Sequence, residues 1–276
     1  MATTLQPRSS TLEHAPLAPT RETSAPNLWA RLRKIQPTFL ALLGGIVIWE
    51  VAGQLAHFSF LPPFSAVINA TWRMTLSGEI PSNLVVSLVA LVIGYLCAIV
   101  VGVPLGVLMG RYSTLEYLID PYINAMLATP SLLYVPILFG IFGISRVTQV
   151  AVIFLYSVII ITIMTMSGIR TVEASYVEMA RAFGANDRQM FRQVLLPAAM
   201  PTIIAGLRLG MGRAVRGMIN GEMIIVLVGL GALLRNYGGR FDSASVFGIL
   251  IVIVAVAVTC NSLLKVIERR VTRWTE

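Results

Sequence analysis

The stretch EMARAFGANDRQMFRQVLLP, from Glu178 to Pro197, interrupts a very apolar chain with a polar and basic block. The block carries Arg181, Arg188 and Arg192, and apolar runs flank it on both sides. The nature of the flanking runs decides the fold class, and the block itself indicates the function.

The flanking runs have the length and composition of membrane-spanning helices. Hydrophobic residues make up 56% of the 276 residues and charged residues only 12%, against roughly 25% charged residues in an ordinary soluble domain. Residues 80–110, 147–169 and 243–264 contain no charge at all. Each of these runs is longer than the about 20 apolar residues that a helix needs to cross a bilayer. The chain is therefore predicted to be an all-α integral membrane protein.

The pattern predicts six spans in one transmembrane domain. The spans are expected at 37–57, 82–110, 121–143, 147–169, 198–230 and 244–265. The domain occupies 36–270, and a short tail, 271–276, follows it. The first 35 residues are rich in Pro, Thr, Ser and Ala, a composition that predicts a disordered N-terminal tail.

The placement of positive charge predicts the orientation. The net charge of +8 could suggest a nucleic-acid partner, but the basic residues flank the spans: Arg31 and Lys34 precede the first, and Lys265 and Arg269 follow the last. The positive-inside rule places such ends in the cytoplasm. An even number of spans puts both termini there, together with the segment 170–197, and no nucleic-acid partner is expected.

Small residues recur every four positions in the second predicted span, at Gly94, Ala98, Gly102, Gly106 and Gly110. This spacing lays them in one stripe, which lets a neighbouring helix approach closely. Helix packing is the simpler interpretation, and a role in gating is the alternative.

Prolines stand inside two of the predicted spans. Pro104 is expected to kink the second span, and Pro130 and Pro136 are expected to break the third. Broken helices are tolerated in a membrane where they lie inside the bundle or line a cavity.

The polar block is predicted to fold into two short helices. Residues 173–183 form an amphipathic pattern, and Gly184 stands where a helix commonly ends in a left-handed residue. Asn186 and Gln189 have the spacing of a capping box, and the second helix is expected to stop at Pro197. The block is either a docking surface or a solvated connection; connections in helix bundles are usually about 2–8 residues long, which favours docking.

The spacing of this block resembles the EAA loop of ABC-importer permeases. The pattern of that loop is Glu-Ala-Ala, three residues, Gly, nine residues, Ile, one residue and Leu-Pro. In this chain EMA at 178–180 is followed after three residues by Gly184, nine more lead to Val194, and LP at 196–197 ends the pattern. Met179 in place of the first alanine and Val194 in place of isoleucine are the departures.

The resemblance extends over about residues 60–270. The stretches at 61–70, 127–144 and 195–212 are similar to permeases for nitrate, sulfonates and taurine. The resemblance implies a six-helix, type I-like ABC importer permease fold with cytoplasmic coupling helices, in the bacterial inner membrane.

The resemblance also implies partners. In this family the first short helix docks on a cytoplasmic ATPase subunit and transmits its closure to the membrane helices. A dimer of ATPase subunits, a second permease copy and an external solute-binding protein are expected. The positions implied to couple to the ATPase are Glu178, Ala180, Arg181, Gly184, Leu196 and Pro197.

The chain lacks a phosphate-binding loop of its own. No GxxxxGK[ST] motif occurs, and the lysines Lys34 and Lys265 are not preceded by glycine. ATP and Mg²⁺ are therefore expected on the partner ATPase, and no cofactor, metal or catalytic residue is expected in this chain.

Charged residues inside the fifth predicted span are candidates for the substrate path. Arg213, Arg216 and Asn220 fall at i, i+3 and i+7 on one helical face, and Glu222 follows. A charge at the bilayer centre costs on the order of 2.5–3.5 kcal/mol, so these groups should face the bundle interior or water. Either the arginines attract an anion, since guanidinium matches carboxylate, sulfonate and phosphate, or they form a structural ion pair with Glu222 or Glu50.

Two other functional classes compete with the importer. A membrane-embedded enzyme is disfavoured because the histidines are His14 and His57 and no HExxH or GxSxG motif occurs. An ATPase-independent secondary transporter or channel for anions would explain the arginines but not the EAA-like block. The sequence therefore predicts a non-enzymatic permease subunit for a small, anionic solute.

Overall fold

The computed structural model describes residues 28–55, 60–225 and 228–271, with side chains at 39–55, 60–224 and 228–269. Its helices are α1 (Leu28–Leu55), α2 (Phe64–Leu76), α3 (Glu79–Arg111), α4 (Ser113–Ala128), α5 (Tyr134–Phe142), α6 (Arg146–Arg170), α7 (Ala174–Ala182), α8 (Asp187–Gln189), α9 (Leu196–Ile225), α10 (Leu230–Gly239) and α11 (Ser243–Val271). Both histidines and most of the predicted tail lie outside the described residues, and α1 begins inside the last part of that tail.

The chain divides into two compact units, residues 1–48 and 49–276. The first unit is described from residue 28 as the N-terminal part of α1. The second unit holds the end of α1 and all the other described helices, and it contains the candidate functional sites.

Four helices of the described chain are long and apolar enough to cross a membrane: Glu79–Arg111, Arg146–Arg170, Asp187–Ile224 and Ser243–Arg269. A fifth span results if α4 and the helical segment Ser131–Phe142, bent by 96° at their break, are counted together. The first predicted span, 37–57, overlaps the C-terminal part of α1, whose apolar segment Phe39–Leu55 is shorter than the four spans. The described residues thus reproduce the predicted helical membrane fold, but with four or five spans rather than six.

The third predicted span is broken at Thr129 and Pro130. Thr129 has ψ 130°, an extended conformation, because the ring of a following proline disfavours the helical region for the residue before it. A 3₁₀ turn at Ser131–Leu133 leads into α5. Pro136 causes no break, since it lies in the first turn of α5, where backbone N–H groups have no intrahelical acceptor.

The fifth predicted span, 198–230, ends too late. Helix α9 begins at Leu196, where it continues a helical run from Asp187, and it ends at Ile225. Gly229, with φ 113°, precedes α10, so the chain turns before the predicted end of the span.

Helix α3 lies against α6 along the stripe of small residues. A Cβ added at Gly94 would lie 2.8 Å from Cβ of Ile153, and one at Gly110 would lie 2.7 Å from Cβ of Ile169. At Gly106 a Cβ would overlap the carbonyl oxygen of Thr162. The two backbones therefore approach too closely for larger side chains, and α3 continues through Pro104 along this contact.

The core of the second unit lies between α3, α6 and α9. Leu91, Met109, Ile153, Ile161 and Met218 are almost completely buried there. A smaller cluster joins α2, α10 and α11, so a packed helix, α2, lies between the first and the second predicted spans.

Candidate functional site

The short helix α7 ends as the sequence pattern predicts. Gly184 has φ 76°, and its N–H donates to the carbonyl of Arg181 at 2.9 Å. The N–H of Ala185 donates to the carbonyl of Ala180 at 3.0 Å. These two bonds form a Schellman motif, in which a left-handed residue turns the chain sharply out of the helix.

The chain then enters a second helix through the predicted capping box. The Gln189 N–H donates to Oδ1 of Asn186, and the Asn186 N–H donates to Oε1 of Gln189, both at 2.9 Å. The two bonds satisfy N–H groups that have no partner inside the helix. The turn between the helices, residues 183–186, is therefore closely defined by its own hydrogen bonds.

The second helix does not stop at Pro197, in contrast to the prediction. Helix α8 passes into a π-helical segment, Met190–Leu195, and this passes directly into α9. A proline in an α-helix clashes with the carbonyl four residues earlier, here that of Gln193. The wider π-helical turn just before the proline relieves this clash, so the second half of the polar block, from Asp187, and the membrane helix form one continuous helix.

A groove of about 690 Å³ opens between α7 and the start of this long helix. Three exposed apolar side chains line it from α7 and from the residue that follows α7: Tyr176 is 51%, Met179 is 55% and Phe183 is 85% exposed. The lining residues are Tyr176, Met179, Ala180, Phe183, Gln193, Val194, Pro197 and Ala198.

The six predicted coupling residues occupy different parts of this segment. Ala180 and Pro197 line the groove, and Glu178 and Arg181 are exposed beside it. Gly184 forms the turn described above. Leu196 instead packs against the buried cluster of Ile169, Ala199 and Ile203, which links the groove to the membrane helices.

Ion pairs connect this end of the bundle. Arg111, at the end of α3, lies 3.7 Å from Asp187 at the start of α8. Arg170, at the end of α6, pairs with Glu116 in the first turn of α4.

A second cavity, of about 510 Å³, lies beside the middle of α9. Arg213, Arg216 and Asn220 line it from α9, and Tyr156 lines it from α6. The opposite wall is the break between α4 and α5, residues 127–132. The Asn220 amide donates to the Tyr156 hydroxyl at 3.3 Å, and Nε of Arg216 donates to the carbonyl of Gly212 at 3.2 Å.

Glu222 is not part of this cavity. It is 2% exposed and accepts hydrogen bonds from Nε2 of Gln149 at 2.6 Å and from the N–H of Gly231 at 2.8 Å. Glu50 accepts from Ser65 at 2.8 and 2.9 Å. Within the described part of the chain, neither carboxylate forms an ion pair with Arg213 or Arg216.

Three consecutive N–H groups at the start of α10 are held by side chains from other helices. The N–H of Gly229 donates to Asn83 at 2.8 Å, that of Leu230 to Ser87 at 3.0 Å, and that of Gly231 to Glu222. Helices α3, α6 and α9 are thus joined to α10 at the break that follows Ile225.

Sequence reasoning missed Gln149 and Tyr156, the α6 residues at these two sites. Both are polar side chains inside a span without charge, which is a signal that could have found them, because buried polar groups in a membrane need partners. Their partners on α9 lie 73 and 64 positions away along the chain, and the sequence alone does not indicate such pairs.

Comparison with known proteins agrees with this architecture. Residues 102–273, more than half of the chain, match the family described as "Binding-protein-dependent transport system inner membrane component". A protein of Brucella abortus (strain 2308) named "Probable ABC transporter permease protein" is 28% identical, over 87% of this chain and 94% of that protein. The taurine transport system permease protein TauC of Escherichia coli (strain K12) is 26% identical, over 89% and 92%.

Solved structures share the fold. A chain of an inward-facing MetNI methionine ABC transporter matches with a TM-score of 0.63 at 19% identity, over 72% of this chain and 98% of that chain.

The family match and the relatives confirm the resemblance drawn from the sequence. The chain belongs to the binding-protein-dependent transport system inner membrane components and is an ABC transporter permease, a multi-pass protein of the inner membrane.

Proposed function

We propose that this chain is the membrane subunit of an ATP-driven importer for a small anionic solute, which an external solute-binding protein delivers. A separate cytoplasmic ATPase dimer binds ATP and Mg²⁺, and two copies of this chain form the pore. The chain itself makes and breaks no covalent bond.

The observation that carries this proposal is the exposed apolar groove beside α7. Phe183, at 85% exposure, and Met179, at 55%, present apolar surface on a segment that connects two spans. Exposed apolar patches of this kind mark sites of protein association, and aromatic side chains often dominate the binding energy there. The groove is therefore the surface on which the ATPase docks, with both chain termini on the same, cytoplasmic side.

The continuous helix supplies the route from the docking surface to the solute. Residues 187–225 form one helical run, whose first turns border the groove and whose middle carries Arg213 and Arg216 into the membrane cavity. A displacement of the groove on ATPase closure therefore moves the cavity wall directly. Small shifts are amplified in this way when packed elements have alternative arrangements.

The arginines supply the preference for an anion. Within the described chain neither Arg213 nor Arg216 has an acidic partner, and both line an open cavity. Guanidinium groups bind carboxylate, sulfonate and phosphate oxygens with two parallel hydrogen bonds. An anionic solute is what such a cavity accommodates best.

Co-purification tests the docking surface. The tagged chain is extracted from its host in mild detergent, and the proteins retained with it are identified by mass spectrometry. A Phe183→Asp variant should lose an ATPase with phosphate-binding loops that the wild type retains. Leu76→Asp, at a residue 70% exposed on α2, serves as the matched control and should retain it. Equal retention by the Phe183 variant would contradict docking at this groove.

A further inference from the structure

The charges that line the membrane cavity are of one sign. Its lining consists of Leu127, Ala128, Thr129, Pro130, Ser131, Leu132, Tyr156, Arg213, Arg216 and Asn220. Two of these residues are cationic and none is acidic, so the described wall offers two guanidinium groups without a carboxylate.

The carboxylate that is closest along α9 is turned away from this wall. Glu222 follows Asn220 by two residues, yet it is 2% exposed, and its two oxygens accept from Gln149 and from the N–H of Gly231. Releasing it would leave two buried donors without an acceptor, which is costly. Glu222 therefore holds α6, α9 and α10 together and does not contact a solute in the cavity.

The polar groups that remain extend the site along one helical face. Arg213, Arg216 and Asn220 recur at i, i+3 and i+7, so the face runs over about 10 Å of helix. The guanidinium groups lie at one end, and the Asn220 amide with the Tyr156 hydroxyl lies at the other. A solute with an oxyanion group at one end and a neutral polar group at the other matches this order.

A cationic group on the solute has no counterpart in such a site. An ammonium group would lie near two guanidinium groups, and like charges at such close range repel one another. The amide and the hydroxyl could solvate it only in part. An oxyanion on a solute without a cationic group can accept hydrogen bonds from both guanidinium groups.

We propose that this cavity selects solutes that carry a carboxylate or sulfonate group and no cationic group, and that it discriminates against zwitterions. This inference rests on the proposed import function and narrows its substrate class. It separates this chain from an importer of amino acids or aminosulfonates.

A matched pair of probes tests the discrimination. The full chain with its ATPase is placed in lipid nanodiscs, and binding of 2-hydroxyethanesulfonate and of 2-aminoethanesulfonate is measured by isothermal titration. The two probes share the sulfonate and differ in a hydroxyl against an ammonium group. The hydroxy compound should bind at least about tenfold more tightly. Equal affinity, tighter binding of the amino compound, or no binding of either probe at millimolar concentration would overturn the proposal.

Variants locate the effect in the cavity. Arg213→Gln and Arg216→Gln should each weaken binding of the hydroxy compound by about tenfold or more. Arg73→Gln, at an exposed arginine of α2, is the matched control and should bind as the wild type does. If both cavity variants bind like the control, the anion binds elsewhere and the proposal fails.

A change in the preference between the two probes tests the assignment of the two ends most directly. Asn220→Asp places a carboxylate at the end of the site where an ammonium group would lie, and it should shift the ratio of the two affinities toward the amino compound. An unchanged ratio would contradict the assignment of the two ends. Retention of the ATPase by every variant shows that docking is intact, so that a failure of the selectivity is distinguished from a failure of the proposed docking of the ATPase.

Discussion

Gly184 is the residue on which the shape of the docking segment depends. Its φ of 76° lies in the left-handed region, which β-branched residues adopt only at considerable cost and asparagine adopts more readily. No neighbouring atom lies within 4 Å of a Cβ added at Gly184, so the backbone conformation, rather than space, restricts this position. Replacing the glycine therefore tests the turn without disturbing its packing.

Gly184→Val should displace α7 from the groove and reduce the amount of ATPase that co-purifies with the chain. Gly184→Asn should retain most of it, because asparagine tolerates the left-handed conformation. The measurement is the ratio of ATPase to permease after mild solubilisation. Equal ratios for the two variants would show that docking does not depend on this turn.

Gly106 tests the close contact of α3 with α6. Gly106→Ala should destabilise the purified chain by about 1–3 kcal/mol, because the added Cβ would overlap the backbone carbonyl of Thr162. Gly140→Ala is the matched control: it lies inside α5 with nothing within 4 Å of the added Cβ, and alanine favours a helix by about 0.8–1.0 kcal/mol. Thermal unfolding in detergent should therefore show opposite shifts, and a loss of stability in both variants would contradict this account.

At the scale of the helices, the sequence predicts where a helix ends when local hydrogen bonds cap it. It predicts less well whether a helix continues through a proline. The cap at Asn186 and Gln189 and the left-handed Gly184 are read from neighbouring residues, and both are present in the structure. The predicted stop at Pro197 is wrong because a π-helical segment precedes the proline and the helix continues through it. No simple sequence pattern indicates this π-helical turn. Because of it, the helix predicted to be separate forms the first part of a membrane-spanning helix.

The broken third span shows the same limit. Pro130 breaks the helix and Pro136 does not, although both prolines look alike in sequence. The difference is position: once the helix has ended at Ala128, Pro136 falls within the first turn of the next helix, where no hydrogen bond is lost. Knowledge of the first break is needed to interpret the second proline.

The contact of Gln149 with Glu222 is an element-scale prediction. Glu222→Gln should cost about 1 kcal/mol of stability, because the Gln149 amide can rotate to accept from the new amide and only the charge-assisted character of the two hydrogen bonds is lost. Gln149→Glu should be at least as destabilising, since two carboxylates would then meet. The double variant restores the pair with its members exchanged, because the new amide on α9 can accept from the N–H of Gly231 and donate to the new carboxylate on α6.

A double-mutant cycle on the thermal unfolding of the purified chain measures this coupling. The double variant should be clearly more stable than the sum of the two single losses implies. Strictly additive losses would show that the two side chains do not act on each other. Uptake by the double variant then reports whether the α9–α10 break needs the carboxylate on α9 itself.

At the scale of the whole molecule, composition and charge-free length predict the membrane class, and the spacing of the EAA-like block predicts the family, which the comparisons confirm. The number of spans is harder to predict from the sequence. The apolar part of α1 is short, and the chain bends sharply between α4 and α5. The sequence also left open whether Arg213 and Arg216 form an ion pair. The answer depends on Glu222 and Glu50 having other partners: Gln149 lies 73 positions from Glu222, and Ser65 lies 15 positions from Glu50.

ATP-driven uptake is the measurement that tests the central claim most directly. The chain and its co-purified ATPase are reconstituted into liposomes with the solute-binding protein, and entry of the solute bound by that protein is followed. Uptake should require ATP on the ATPase side, persist when a protonophore collapses the ion gradient, and disappear with Phe183→Asp but not with Leu76→Asp. Uptake that proceeds without ATP and follows an ion gradient would contradict it and would identify an ATPase-independent transporter.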